Sequence, residues 1–325
     1  MYASVVTHTL TATIKSIPYL IHLIICLYKG IIYSEEITMF NNLTKKVALY
    51  CCASTLAIAS MPDEKYFATP QHWIATQYAF LPPETQNTVI DALAATGLVL
   101  CANPLINAST TGKIWASPRV LWSGSCIMAT TVIPSVIATT AFTQMYVNYS
   151  GRKLNTLESC IIPAIGGMLG AHVIQPLDTL ATWKHIDSTK SMLQQKKQST
   201  AFWCAGRRSL GWREFFYSAG WSGFAPIGTQ FFAPYLSETN AKIAGGVTVG
   251  ALMGLLTTPI HNAKVEAQIL SFTGQHIPTN RVIYQQLFEQ RKLFKGWKFR
   301  VPLTMGAIWW MSTVPGLITA PPCNR

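Results

Sequence analysis

Acidic residues are scarce: 13 Asp and Glu stand against 25 Lys and Arg, and the four types together make up 12% of 325 residues. A soluble globular domain carries about a quarter charged residues, so an ordinary charge-solvated surface is excluded. No two carboxylates are placed for acid–base work. The sequence has no HExxH, no GxSxG, no GxGxxG ahead of a helix and no Walker loop, which removes the main enzyme motifs. The eight cysteines show neither CxxC nor zinc spacing. Most fall in apolar stretches, where Cys behaves as a small hydrophobe. The chain is therefore not expected to be an enzyme, to bind a metal or to carry a cofactor.

What is present is apolar sequence, half of all residues. Six runs lack Asp, Glu, Lys and Arg: 92–112, 120–151, 159–177, 215–237, 243–263 and 301–324. Each is long enough for a bilayer-spanning helix, which needs about 20 residues. The expectation is an all-α membrane protein with six transmembrane helices and the lipid bilayer as its first partner. Of the 25 basic residues, sixteen fall after the first, third and fifth runs, from Lys113 and Arg119 through Lys184–Arg213 to Lys264–Arg300. The positive-inside bias places those three connections on one side and both termini on the other. Basic loops also suit nucleic acid, but strict alternation with apolar spans argues against that partner.

A repeat runs through the apolar runs, and internal repeats set architecture. "ANPLINAST" closes the first run at Pro104, "QPLDTLATWK" the third at Pro176 and "TPIHNAKVEAQ" the fifth at Pro259. Each proline is followed by a basic connection and then a glycine opening the next run: "VLWSG" at Gly124, "FFYSAG" at Gly220 and "LFKG" at Gly296. The expected unit is a helix ended by a proline kink, a connection, an aromatic turn with glycine, and a second helix. Glycines four apart, Gly166 with Gly170 and Gly246 with Gly250 and Gly254, mark faces where helices approach closely within lipid.

Three tandem two-helix units of this kind resemble the mitochondrial carrier family, and the chain looks like a divergent member. The resemblance covers residues ~88–320 and implies three units, ~88–151, ~155–238 and ~240–320, about a pseudo-threefold axis. In that family P-x-[Asp/Glu]-x-x-[Lys/Arg] recurs on the odd helices, and the acid of one unit pairs with the base of the next to close a matrix gate. Here the match is partial. Pro176 is followed by Asp178 but by Ala181 in place of the base. Pro259 is followed by Lys264, with His261 in place of the acid, and Pro104 by Ile106 and Ser109. The resemblance implies that Asp178 meets Lys264, braced by Gln268. His261 is expected to be a hydrogen-bonded polar residue at the gate, and His172 either faces the cavity or packs between helices.

Family carriers contact cargo about two turns past each turn glycine. That rule points to Thr131, Ile227 and Leu303, with Val132, Gly228 and Thr304 beside them. None is charged, and Arg300 is the nearest cation. The resemblance implies a monomeric transporter of a small metabolite, a nucleotide or other anion, working by alternating access in the inner mitochondrial membrane with cardiolipin at the loop side. The outer membrane, or a bacterial protein delivered to host mitochondria, is an alternative location. The eroded gate motif favours a second possibility, a transport-inactive structural, assembly or insertion protein. Residues 1–87 form an extension whose apolar runs, 16–33 and 47–61, suit a targeting segment, a linker or an added span, with Met39 a possible start.

Overall fold

The computed structural model describes residues 83–111, 118–187 and 203–319; the expectations for the N-terminal extension up to residue 82 lie outside them. The described part is all-helical: α1 (Pro83–Thr111), α2 (Pro118–Leu121), α3 (Ser125–Ser150), α4 (Thr156–Ile186), α5 (Arg207–Ala219), a π-helical turn (Gly220–Phe224), α6 (Ala225–Phe232), α7 (Glu238–Phe272), α8 (Asn280–Glu289) and α9 (Trp297–Thr319). Helix α1 begins at Pro83, so the expected boundary at residue 87 falls inside it.

Among the described residues four helices, rather than six, are long and apolar enough to cross a membrane: Asn87–Thr111, Ser125–Ser150, Thr156–Ile186 and Glu238–Phe272. The other two expected spans differ for visible reasons. The fourth, 215–237, is divided by the π turn, and the helix that leads into it, α5, carries Arg207, Arg208, Arg213 and Glu214. In α9 the apolar residues are diluted by Lys298, Arg300, Pro302 and Pro315.

The distribution of polarity is compatible with a membrane protein. Helix α4 turns Leu157, Ile161, Leu169 and Val173 outward, while Gln175, Asp178, Thr179, Thr182 and His185 are buried. Helix α7 exposes Ile243, Leu252, Leu255 and Leu256 and buries Thr257, Thr258, His261, Lys264, Gln268 and Ser271. Polar groups in a bilayer turn toward one another because lipid offers no hydrogen bonds.

The long elements pack in chain order. Helix α1 lies against α3, α3 against α4, α4 against α5, the α5–α6 rod against α7, and α7 against α9. Helix α9 returns to α1 and closes the ring, where the Trp310 indole donates to the Ala94 carbonyl at 2.9 Å. Two seams are built on the expected glycines. A Cβ on Gly166 would lie 2.8 Å from Thr139 Cα, and one on Gly170 would lie 2.9 Å from Ala138 Cβ, so α3 packs directly on the α4 backbone. Gly246, Gly250 and Gly254 face Trp309, Met305 and Val301 of α9 in the same way.

The prolines do not end their helices. Pro104, Pro176 and Pro259 lie inside α1, α4 and α7, which continue to Thr111, Ile186 and Phe272. Proline removes one backbone donor from the ladder, and packing against neighbouring helices carries each helix past that gap. The positive-φ glycines opening the next rods are Gly124 (φ 76), Gly206 (φ 72) and Gly296 (φ 77). Gly206 thus replaces the expected Gly220, which has helical dihedrals (φ −59) at the π turn. The sequence Trp203–Cys204–Ala205–Gly206 has one residue more than the aromatic-x-Gly spacing at Trp122 and Phe294.

Each of these glycines meets the carbonyl of the residue five past a proline. A Cβ on Gly124 would lie 3.3 Å from Ala181 O, on Gly206 2.9 Å from Lys264 O, and on Gly296 2.9 Å from Ser109 O. Amide side chains flanking the prolines clamp the chain leading into the glycines. Asn103 donates to Leu121 O (2.9 Å) and Asn107 to Val120 O (2.7 Å). Gln175 donates to Ala205 O (2.9 Å), and Asn262 to Leu293 O (2.9 Å) and Lys295 O (3.0 Å).

Candidate functional site

At the basic end of the ring, α4 and α7 bring Asp178 and Lys264 together although 86 residues separate them. Lys264 Nζ lies 2.7 Å from Asp178 Oδ2 and 3.0 Å from Oδ1. Gln268, one helical turn further along α7, donates to Oδ2 at 2.9 Å and to Thr179 Oγ1 at 3.1 Å. Its backbone carbonyl accepts the buried Trp183 indole at 2.8 Å. Taking a carboxylate and an ammonium out of water costs several kcal/mol per ion, recovered only where further hydrogen bonds complete the pair. That condition is met here: Asp178 accepts from Lys264, Gln268 and, at 3.3 Å, from Arg213 Nη2. A wall of Ile127, Leu177, Leu180, Ala181 and Trp183 packs beside the cluster and excludes solvent.

Above this cluster the ring encloses a cavity of about 170 Å³. Arg213 and Glu214 of α5 line it together with His261, Lys264 and Arg300. Neither Arg213 nor Glu214 was expected here. Counting seven residues from Gly206, rather than from Gly220, lands on Arg213, as the same count from Gly124 and Gly296 lands on Thr131 and Leu303. The signal available in the sequence was Gly206 itself, with an arginine pair directly after it. The guanidinium of Arg213 bonds Glu214 Oε1 through Nη2 (2.6 Å) and Nε (2.9 Å), and Ser135 donates to Glu214 Oε2 at 3.3 Å.

The expected cargo contacts divide. Thr131, Val132, Leu303 and Arg300 line the cavity. Thr304 is buried behind it, bonded to Arg300 O (2.9 Å) and 3.2 Å from the Tyr217 hydroxyl. Ile227 and Gly228 are absent from the lining. Gly228 instead packs on Gly245 of α7, where a Cβ would meet Gly245 Cα at 3.1 Å. The physical reason is the register: with Gly206 as the turn glycine, Ile227 lies 14 residues past Arg213, about four helical turns beyond the level of the other contacts. His172 is exposed on the outer face and accepts from Arg207 Nε at 3.1 Å, so it neither faces the cavity nor packs between helices.

His261 differs from expectation too. It is 3% exposed, and neither ring nitrogen has a hydrogen-bond partner. Arg300, also 3% exposed, lacks partners at Nε and Nη2, and its guanidinium carbon stands 5.6 Å from the Tyr217 ring centroid. Such a cation–π contact is worth about 0.5–2 kcal/mol, below the several kcal/mol of burying an ion. Among the described residues, Arg300 is the cavity cation without a carboxylate. Ile106 lines the cavity; Ser109 bonds its own helix at Ile106 O (2.8 Å). Ala181 packs in the apolar wall, so the two remaining expected gate pairs hold no ionic contact.

The geometry is therefore a largely apolar cavity with a small group of charged side chains, set within a ring of helices and closed at the basic end by one buried ion cluster. A scan against protein-family models and a search of curated proteins both return no match to this chain.

Proposed function

We propose that the chain is a transmembrane transporter of the mitochondrial carrier type, moving a small anionic metabolite by alternating access. In this account six helical rods span the membrane as three tandem two-helix units related by a pseudo-threefold axis. The observation that carries it is the cyclic set of contacts between the turn glycines and the carbonyls five past the prolines. The first unit's Gly124 meets the second's Ala181, the second's Gly206 meets the third's Lys264, and the third's Gly296 meets the first's Ser109. A duplicated hairpin packed without symmetry has no reason to repeat one contact at matched positions around a ring. The Asp178–Lys264 pair would then serve as the gate, holding the basic end closed until cargo binds. The inner mitochondrial membrane is the site this resemblance favours, with the outer membrane or delivery from a bacterium to host mitochondria as alternatives.

A transport-inactive scaffold or insertion protein is the competing account, favoured by the two non-ionic positions at Ile106 with Ala181 and His261 with Ser109. Counter-exchange in proteoliposomes loaded with small carboxylates, amino acids and nucleotides separates the two. The transporter account expects saturable exchange, lowered at least tenfold by Lys264→Ala and partly restored when the charges at 178 and 264 are interchanged. Correctly inserted protein that exchanges nothing across the panel supports the scaffold.

A further inference from the structure

The charges facing the cavity nearly cancel. Arg213, Lys264 and Arg300 contribute three positive charges. Glu214, which lines the cavity, and Asp178, bonded to Lys264, contribute two negative ones. No other Asp, Glu, Lys or Arg among the described residues lines it. With histidine neutral, one positive charge remains, and the pairing above assigns it to Arg300. Two side chains, each 97% buried by their 3% exposures, present unpartnered nitrogens in this cavity: Arg300 through Nε and Nη2, and His261 through Nδ1 and Nε2.

We infer that Arg300 and His261 form a subsite for a singly charged carboxylate, and that polyanions, nucleotides included, are not the cargo. The inference rests on the transporter account for calling the bound molecule cargo. A guanidinium presents a planar fork of donors that matches the two oxygens of a carboxylate, and a neutral imidazole adds one N–H donor. A monocarboxylate supplies the acceptors both side chains lack and brings the charge sum to zero. A dianion or a nucleoside phosphate would leave at least one excess negative charge in a water-poor cavity, a costly placement. Size agrees: about 170 Å³ is close to the roughly 150 Å³ apolar cavity that takes one benzene.

The remainder of the cargo meets apolar and hydroxyl surface. Leu98, Val99, Val132 and Leu303 line the cavity with Thr131, which suits a short apolar or hydroxylated tail. Glu214 sets the charge preference, because its removal would leave two positive charges.

The test uses the full chain in detergent and reads ligand-dependent shifts in melting temperature, so it needs no transport. The probes are pyruvate, lactate, succinate, citrate, AMP and ATP. Pyruvate or lactate is expected to stabilise the protein, with succinate, citrate and the nucleotides at least tenfold weaker. Arg300→Gln should abolish the effect, Arg300→Lys should retain it with a loss of about five- to tenfold, and His261→Ala should weaken it at least threefold. Glu214→Gln should shift preference toward succinate. Lys242→Gln, at the exposed pair with Glu238, should change nothing. Should Arg300→Gln fail to fold, the Arg300→Lys, His261→Ala and Glu214→Gln responses decide alone. Tighter binding of a polyanion, unchanged binding in these variants, or no binding by any probe overturns the inference. Binding without exchange in liposomes would sink the transporter account and leave the subsite standing.

Discussion

Asp178 receives donors from three side chains on two helices: Lys264, Gln268 and Arg213. Removing the ammonium leaves a fully buried carboxylate with only the Gln268 amide and the 3.3 Å contact from Arg213 to stabilise its charge. Breaking a buried pair by deleting one partner costs about 3–5 kcal/mol, whereas replacing both by apolar or neutral groups costs much less. Asp178→Asn and Lys264→Met should therefore each lower unfolding stability in detergent. The double variant should lose less than the sum by about 1–3 kcal/mol. Additive losses would mean that the two side chains are solvated separately. This contact was legible in the sequence because Pro176 and Pro259 fix the register and only one acid and one base survive at the matched positions. The Arg213–Glu214 pair was not legible, since it depends on choosing Gly206 over Gly220 in a segment with four nearby glycines, Gly206, Gly211, Gly220 and Gly223.

At the scale of elements, the rods are joined by tight approaches rather than by large interlocking side chains. Gly124, Gly206 and Gly296 each meet a carbonyl, on α4, α7 and α1 in turn, and side-chain amides fasten the chain just ahead of each one. Gly206 carries both demands at once: a left-handed dihedral and a Cβ position 2.9 Å from Lys264 O. Gly151 has a similar φ of 65 but nothing within 4 Å of its Cβ position. Gly151→Ala should cost only the left-handed strain, about 1–2 kcal/mol. Gly206→Ala should lower the melting temperature further and loosen the gate, since Lys264 must shift to admit the methyl group. Equal losses at both positions would show that the approach to Lys264 does not bear on stability. The prolines were visible in the sequence, but their consequence was not: a proline ends a helix in isolation, and here tertiary packing carries α1, α4 and α7 onward. The fourth rod hid its register because Gly220 follows an aromatic stretch as the other turn glycines do, yet it lies 14 residues beyond Gly206, the glycine that makes the turn.

Across the whole molecule, polarity is inverted relative to a soluble bundle. Among the described residues, apolar side chains point outward, charged ones converge on a central cavity, and the seal at the basic end is the cluster around Asp178. The six apolar runs made the all-helical class legible, together with four helices of membrane-crossing length and apolarity among the described residues. Charge in α5 and the prolines of α9 kept two of those runs short of an apolar span, because charged side chains turned toward the cavity lower the hydropathy of the helix that carries them. The central claim is that this ion cluster closes the cavity on one side. The most direct measurement places a cysteine at Ala307, which lines the cavity, in a variant otherwise free of cysteine. Proteoliposomes of known orientation are then exposed to a membrane-impermeant maleimide. The account predicts no labelling from the basic end in the otherwise unaltered protein and ready labelling from that end once Lys264→Ala is added. Labelling from the basic end with the pair intact, or no change on its removal, would contradict it.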